Sequence, residues 1–316
     1  MNKPLLIIMG IGISIMAVRC ASTYHIPGKL PEGCISPIKV DPSFKIPMGP
    51  YGLPYRVGNL GGKPVMLGEE FDMAEYCDDP TITGEKGWKR YERPKRNFDS
   101  SLTSFYWDFK YTTGLILVTY REAPPQSEQE YKAEKDQPHN QWVTVGVNAG
   151  TRYYYRDLHT VFLKYSIETT TKTQQYLEAY NYRSVVVPTH KKVFGLEEYV
   201  AHPEWVKDSK YYNVYRDTFD IYVQKNSQGR VITMIRCNND QPNKWNYRCD
   251  MQWSLEPYMN KVFLEARFSR VHLKDWQIIK QQSEKILKST VVDPKTFKFI
   301  HPYYQQTVKE QKSPKD

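Results

Sequence analysis

Hydrophobic and polar positions alternate with period two in several stretches of the chain. In "SFYWDFKYTTGLILVTYR" (104–121) Phe105, Trp107 and Phe109 recur at every second position, and Thr112-Thr113-Gly114 then turns the chain into the apolar run Leu115 to Val118. The same logic returns in "TFDIYVQKNSQGRVITMIRC" (218–237), where Phe219, Ile221 and Val223 alternate before a turn at Asn226-Ser227-Gln228-Gly229 and a return strand from Val231 to Cys237. "WVTVGVNAG" (142–150) and "HTVFLKYSIET" (159–169) also read as strands, and "KTQQYLEAYNYR" (172–183) has a helical composition. From Lys261 to Val271 the alternation sets Val262, Leu264, Ala266 and Phe268 on one face. The period then changes to 3.6: Asp275 is a natural N-cap, and Trp276, Ile279, Ser283, Ile286 and Leu287 share one side of a helix.

Elsewhere the pattern is broken. Residues 34–98 are rich in Gly and Pro and predict turns and short strands, while "EAPPQSEQEYKAEKDQPHNQ" (122–141) carries many charges and no apolar period. The expected fold class is therefore α+β, predominantly antiparallel β-sheet with a few helices packed on it, in two β-rich domains. The expected boundaries are a signal segment over 1–20, a Gly/Pro-rich β domain over 21–125, a linker or long loop over 126–140, an α+β domain over 141–295 and a charged, frayed tail over 296–316.

The start of the chain adds a compartment. Lys3 precedes an uncharged apolar run from Leu5 to Val18, which has signal-peptide length and falls short of a spanning helix. Cys20 lies where a bacterial lipoprotein is acylated, although Arg19 stands where a small residue is usual, so lipidation at Cys20 and simple cleavage both stay open. The expected location is the periplasm, with or without a lipid tether.

That location changes the meaning of the five cysteines. With Cys20 set aside, four remain, and an oxidising compartment favours disulfides. Pairing by proximity joins Cys34 to Cys77 and Cys237 to Cys249. A zinc site would need a second close Cys/His pair, and neither cysteine of "RCNNDQPNKWNYRC" (236–249) has one.

The formal charge is +9, concentrated in "EKGWKRYERPKRNF" (85–98). Basic residues interleaved with aromatics could follow single-stranded nucleic acid, which an exported protein rarely meets. We expect no nucleic-acid partner and read Trp88, Arg90, Tyr91, Arg93 and Arg96 as candidate contacts for a protein partner. Tyr154 and Arg156, in an aromatic run, and Trp245, Tyr247 and Arg248, at the end of the cysteine loop, complete the candidates.

Catalytic motifs are missing. There is no Gly-x-Ser-x-Gly elbow and no His-Glu-x-x-His, and the seven histidines are scattered. Adjacent carboxylates at Glu69-Glu70, Asp78-Asp79 and Glu197-Glu198 read as loop solvation. Neither a metal, a cofactor, a small-molecule substrate nor an enzymatic activity is expected.

A strand ending in Cys237, a short loop to Cys249, a further strand, "LEPYM" (255–259) and the helix start Leu273-Lys274-Asp275-Trp276 together resemble a family of exported bacterial immunity proteins against type VI secretion toxins. The resemblance covers residues 230–290. It implies a binding protein that neutralises a secreted effector, a lipase or wall hydrolase, by occluding its active site. A structural or assembly lipoprotein of the envelope is the alternative, and an envelope hydrolase a weaker one.

Overall fold

Among the described residues ten strands join into one sheet, with helices packed on it. The structure, a computed structural model, describes residues 45–79, 95–119, 126–137, 139–150, 157–163, 186–201, 219–238, 247–293 and 295–301. Its strands are β1 (Arg56–Leu60), β2 (Lys63–Leu67), β3 (Asp72–Tyr76), β4 (Leu102–Lys110), β5 (Leu115–Ile116), β6 (Trp142–Ala149), β7 (Val186–Val193), β8 (Leu196–Ala201), β9 (Phe219–Lys225), β10 (Val231–Asn238), β11 (Arg248–Ser254) and β12 (Val262–Ser269). Its α-helices are α1 (Gln126–Glu134), α2 (Leu158–Leu163) and α3 (Trp276–Ser289), the last preceded by a 3₁₀ segment, Arg270–Asp275. The sheet runs β3-β4-β6-β12-β11-β10-β9-β8-β7, with the short β5 beside β4, and every pairing is antiparallel. The α+β, predominantly antiparallel class read from the alternation is the class observed.

Because successive strand residues point to opposite faces, alternation in sequence separates the two sides of the sheet. On the first face Phe105, Trp107 and Phe109 of β4, Val143, Val145 and Val147 of β6, Leu264 and Ala266 of β12 and Met251 and Trp253 of β11 are all essentially inaccessible to solvent. Trp276, Ile279, Ile286 and Leu287 bury the apolar stripe of α3 in the same cluster. The β1–β2 hairpin closes that layer: the Met66 N–H donates to the Thr290 carbonyl at 2.9 Å and Val65 bridges to Val291. The tight turn between β1 and β2 needs Gly61, whose φ is +56° and whose absent Cβ would stand 2.5 Å from the Val262 side chain.

Three expectations meet a different outcome. Residues 159–163, read as the start of a strand, belong to α2. Asp157 captures the first turn, accepting from the His159 N–H at 3.1 Å and the Thr160 hydroxyl at 2.8 Å, and Leu158 and Phe162, four apart, bury against Ile221, Val223 and Met234. Capping and that two-residue stripe outweigh the β-branched composition.

The segment 126–140, read as a linker or long loop, carries α1, and the strands on either side of it, β4 and β6, are hydrogen-bonded neighbours from Ser104↔Asn148 to Lys110↔Trp142. One sheet therefore continues across the division expected there.

The third difference concerns the tail. Residues 295–301 fold back: Val292 bridges to Phe299, and Phe297 stacks on Phe98 with ring centroids 5.3 Å apart. Residues 1–20, the stretch 172–183 expected to be helical and the tail beyond 301 lie outside the described residues.

Candidate binding site

The second face of the sheet starts from the alternate residues. On β4 these are Ser104, Tyr106, Asp108 and Lys110, on β6 Trp142, Thr144, Gly146 and Asn148, and on β12 Glu265, Arg267 and Ser269. α2 covers this face over β9 and β10. α1 covers it at the other end, and it does so through polar groups. Lys110 Nζ donates to Glu134 at 2.7 Å and Glu130 at 3.3 Å, the Trp142 indole N–H donates to Glu134 at 3.1 Å, and the Tyr131 ring meets the Trp142 ring edge-on at 5.1 Å. α1 has no apolar stripe, which is why the sequence pattern did not show it.

Between α1 and the start of β11 lies a cavity of about 300 Å³. Asp108, Thr144, Tyr131, Trp142, Tyr247, Arg248 and Arg267 are among the residues that line it. The loop after α1 forms its lip: Asn140 accepts from the Trp142 N–H at 3.1 Å, and the His272 imidazole reaches the carbonyls of His139 and Asn140, each at 3.0 Å.

Burial lifts the Asp108 carboxyl above the ordinary carboxylate range; the hydrogen bond from the Thr144 hydroxyl, at 2.5 Å, opposes that rise, and the nearby charge of Asp72 adds to it. Burial also raises the Tyr131 hydroxyl, and the charges of Asp108 and Asp136 push it further the same way. Lys135, Arg248 and Arg267 stand at the exposed edge, where Arg267 is bound to Asp250 at 2.9 Å.

Tyr247 is braced by Arg270. Arg270 donates its backbone N–H to the Tyr247 carbonyl at 3.0 Å, and its guanidinium binds Asp220, the Tyr222 hydroxyl at 3.0 Å and the Asn238 carbonyl at 2.9 Å. Burial and the negative charge of Asp220 push the Tyr222 hydroxyl up, to about 12, against the opposing charge of Arg270. Cys237 and Cys249 stand opposite one another on β10 and β11 and are joined as a disulfide, as expected from their spacing.

Of the residues singled out in the sequence, Tyr247 and Arg248 reach this cavity. Arg96 does not: its guanidinium spans Asp78 and Asp79, each at 2.5 Å, and lies 4.2 Å from the Tyr76 ring, so it ties the end of β3 to the segment before β4. The Asp78-Asp79 pair thus grips an arginine. Cys77 is also disulfide-bonded. Cys20, Cys34, Trp88, Arg90, Tyr91, Arg93, Tyr154, Arg156 and Trp245 also lie outside them.

Asp108, Thr144, Tyr131 and Trp142 were missed as site residues. One signal was available, since Asp is depleted in strands and Asp108 sits in the middle of one. Among the described residues no group of His, Cys, Asp and Glu side chains could hold a metal ion, and no helix is long and apolar enough to cross a membrane.

No family model matches the chain, and no curated protein matches it. Two solved structures are similar at low level. One is Smlt3025, an immunity protein of the Stenotrophomonas maltophilia type IV secretion system, at 13% identity over 79% of this chain and 99% of that one, with a TM-score of 0.44. The other is the Neisseria meningitidis iron-regulated outer membrane lipoprotein FrpD, at 13% identity over 75% of this chain and 92% of that one, with a TM-score of 0.32. At these scores neither likeness carries an argument about this chain.

Proposed function

We propose that the protein is an exported binding protein of the cell envelope, an immunity protein that neutralises a secreted type VI effector, a lipase or wall hydrolase, by covering its active site. The observation that carries this reading is the concave site on the second face of the sheet, where Tyr247 and Arg248 stand on a wall braced by Arg270. Tyrosine and arginine are among the side chains that dominate protein–protein binding energy. A wall already held in place also lowers the ordering cost of association. Disulfides at Cys237–Cys249 and at Cys77 support the export half, because such bonds persist in oxidising compartments. On this reading the protein acts by occupancy and catalyses nothing; whether it is tethered through Cys20 does not alter the contact.

Deleting the gene and exposing the cells to siblings that secrete the effector tests the reading. Sensitivity is the expected result, and full resistance sinks it. A complementing copy carrying Tyr247→Ala and Arg248→Glu should fail to protect while still folding, with the wild-type circular-dichroism spectrum. If it protects fully, the contact surface lies elsewhere.

A further inference from the structure

The cavity holds one largely buried carboxylate, while its exposed edge carries charges of both signs. Asp108 is partly buried at the floor, and among the described residues it has a hydrogen bond from Thr144 and no cationic partner. The cations that could neutralise it are committed elsewhere: Lys110, two residues along the same face of β4, to Glu130 and Glu134, and Arg267 to Asp250. Asp136 lines the cavity as well, and its charge acts with that of Asp108 on the Tyr131 hydroxyl. The rings of Tyr131 and Trp142 are part of the same lining. The exposed rim carries Lys135 and Arg248 together with Asp136.

A half-buried carboxylate beside aromatic rings attracts a cation through its charge and through the ring quadrupoles together. About 300 Å³ is the low end of ligand-pocket size, room for one side chain or a small group. Resting on the partner-binding reading above, we propose that this cavity receives an arginine or lysine side chain of the protein partner, with Asp108 as its counter-ion, Tyr131 and Trp142 as its walls, and the rim cations Arg248 and Lys135 engaging acidic groups beside it. An ionised carboxylate left without a cation costs the isolated fold, and residues held at such a cost are concentrated where a ligand later compensates them.

Isothermal titration and NMR shift mapping on the full mature chain, with its disulfides intact, provide the test. The probes are N-acetyl-arginine amide, its neutral isostere N-acetyl-citrulline amide, agmatine, and a short peptide with arginine flanked by glutamates. The arginine amide should bind at least tenfold more tightly than the citrulline amide, with shifts at Asp108, Tyr131 and Trp142, and Asp108→Asn should remove that preference. The glutamate-flanked peptide should bind more tightly than agmatine. Equal binding of arginine and citrulline probes, absence of binding, or an unchanged preference in Asp108→Asn overturns the assignment. Tighter binding of agmatine than of the peptide overturns the protein side chain as occupant in favour of a free amine. The deletion assay reads the immunity function separately. Sensitivity on deletion with full protection by Asp108→Asn defeats the pocket assignment alone, and resistance on deletion with arginine binding intact defeats the immunity reading alone.

Discussion

The guanidinium of Arg270 lies 5.4 Å from the ring of Tyr247 while its backbone N–H donates to the Tyr247 carbonyl. One residue thus joins the 3₁₀ segment to the start of β11, and its remaining bonds to Asp220, Tyr222 and Asn238 tie both to the strands β9 and β10. Arg270 and Asp220 are each largely shielded from water, and such pairs are expensive to break from one side, because the remaining charge is left buried. Arg270→Met should therefore lower unfolding stability by roughly 3–5 kcal/mol in a urea titration. It should also broaden the NMR signals of Tyr247. The double variant Arg270→Met/Asp220→Leu should recover part of the stability and none of the Tyr247 ordering.

The Cys237–Cys249 bridge joins residues directly opposite in the β10–β11 ladder, so it closes a loop that the sheet register already brings together. On the chain-entropy model a loop of this length is worth roughly 3 kcal/mol. The double variant Cys237→Ala/Cys249→Ala should fold and lose about that much in denaturant unfolding. Mass spectrometry of unreduced protein should find the Cys237–Cys249 linkage; two free thiols there would defeat the assignment.

Asp108 makes a prediction about pH with a definite sign. Its native carboxyl titrates above the ordinary range because of burial, so the folded state holds the proton more tightly than the unfolded chain does. Stability from this group is greatest in acid and falls as pH rises from the unfolded value through the folded one. Asp108→Asn removes that loss. Its melting temperature should exceed that of the wild type at pH 7, and the difference should shrink as pH drops below the ordinary carboxylate range.

Ile279 and Ile286 of α3 are fully buried against the first face. Either Ile→Ala change should cost about 2–5 kcal/mol by calorimetry or denaturant titration. Ile278, on the exposed side of the same helix, should tolerate alanine within about 0.5 kcal/mol.

The Tyr111 hydroxyl donates to Asp275 at 2.8 Å and contacts His272 at 3.1 Å, linking the end of β4 to the start of α3. Asp275 is the N-cap expected from its position, yet its side chain makes no capping bond. It serves Tyr111 instead. Tyr111→Phe should destabilise by about 1.5–3 kcal/mol, the usual net worth of a hydrogen bond to a charged group, and leave the core packing unchanged.

Where burial follows a simple period, the sequence was readable. Phe105, Trp107 and Phe109, the run Val262 to Phe268 and the helical set from Trp276 to Leu287 all bury as their spacing requires, because each element has one face on the same core. α1 was not readable, since what holds it is Lys110, Glu130, Glu134 and Trp142, contributed by three separate segments. α2 was misread because Leu158 and Phe162 find their apolar partners on strands distant in sequence. The candidate site was half legible: Tyr247 and Arg248 could be picked out beside the cysteine loop, while Asp108, an isolated polar residue in a strand, gained its meaning from the helix lying over it.

The amino-acid sequence by itself determined the strand periods, the antiparallel α+β class, the apolar side of α3 and the pairing of Cys237 with Cys249, all of which follow from neighbours close along the chain. Only the tertiary structure decided that strands on both sides of 126–140 share one sheet and that α1 closes a pocket over its polar face. It also decided that Arg96 belongs to Asp78 and Asp79 and Arg267 to Asp250, leaving Asp108 without a cation among the described residues. The physical reason is that charge pairing and burial of polar groups depend on distances across the fold, and those carry no period in the sequence.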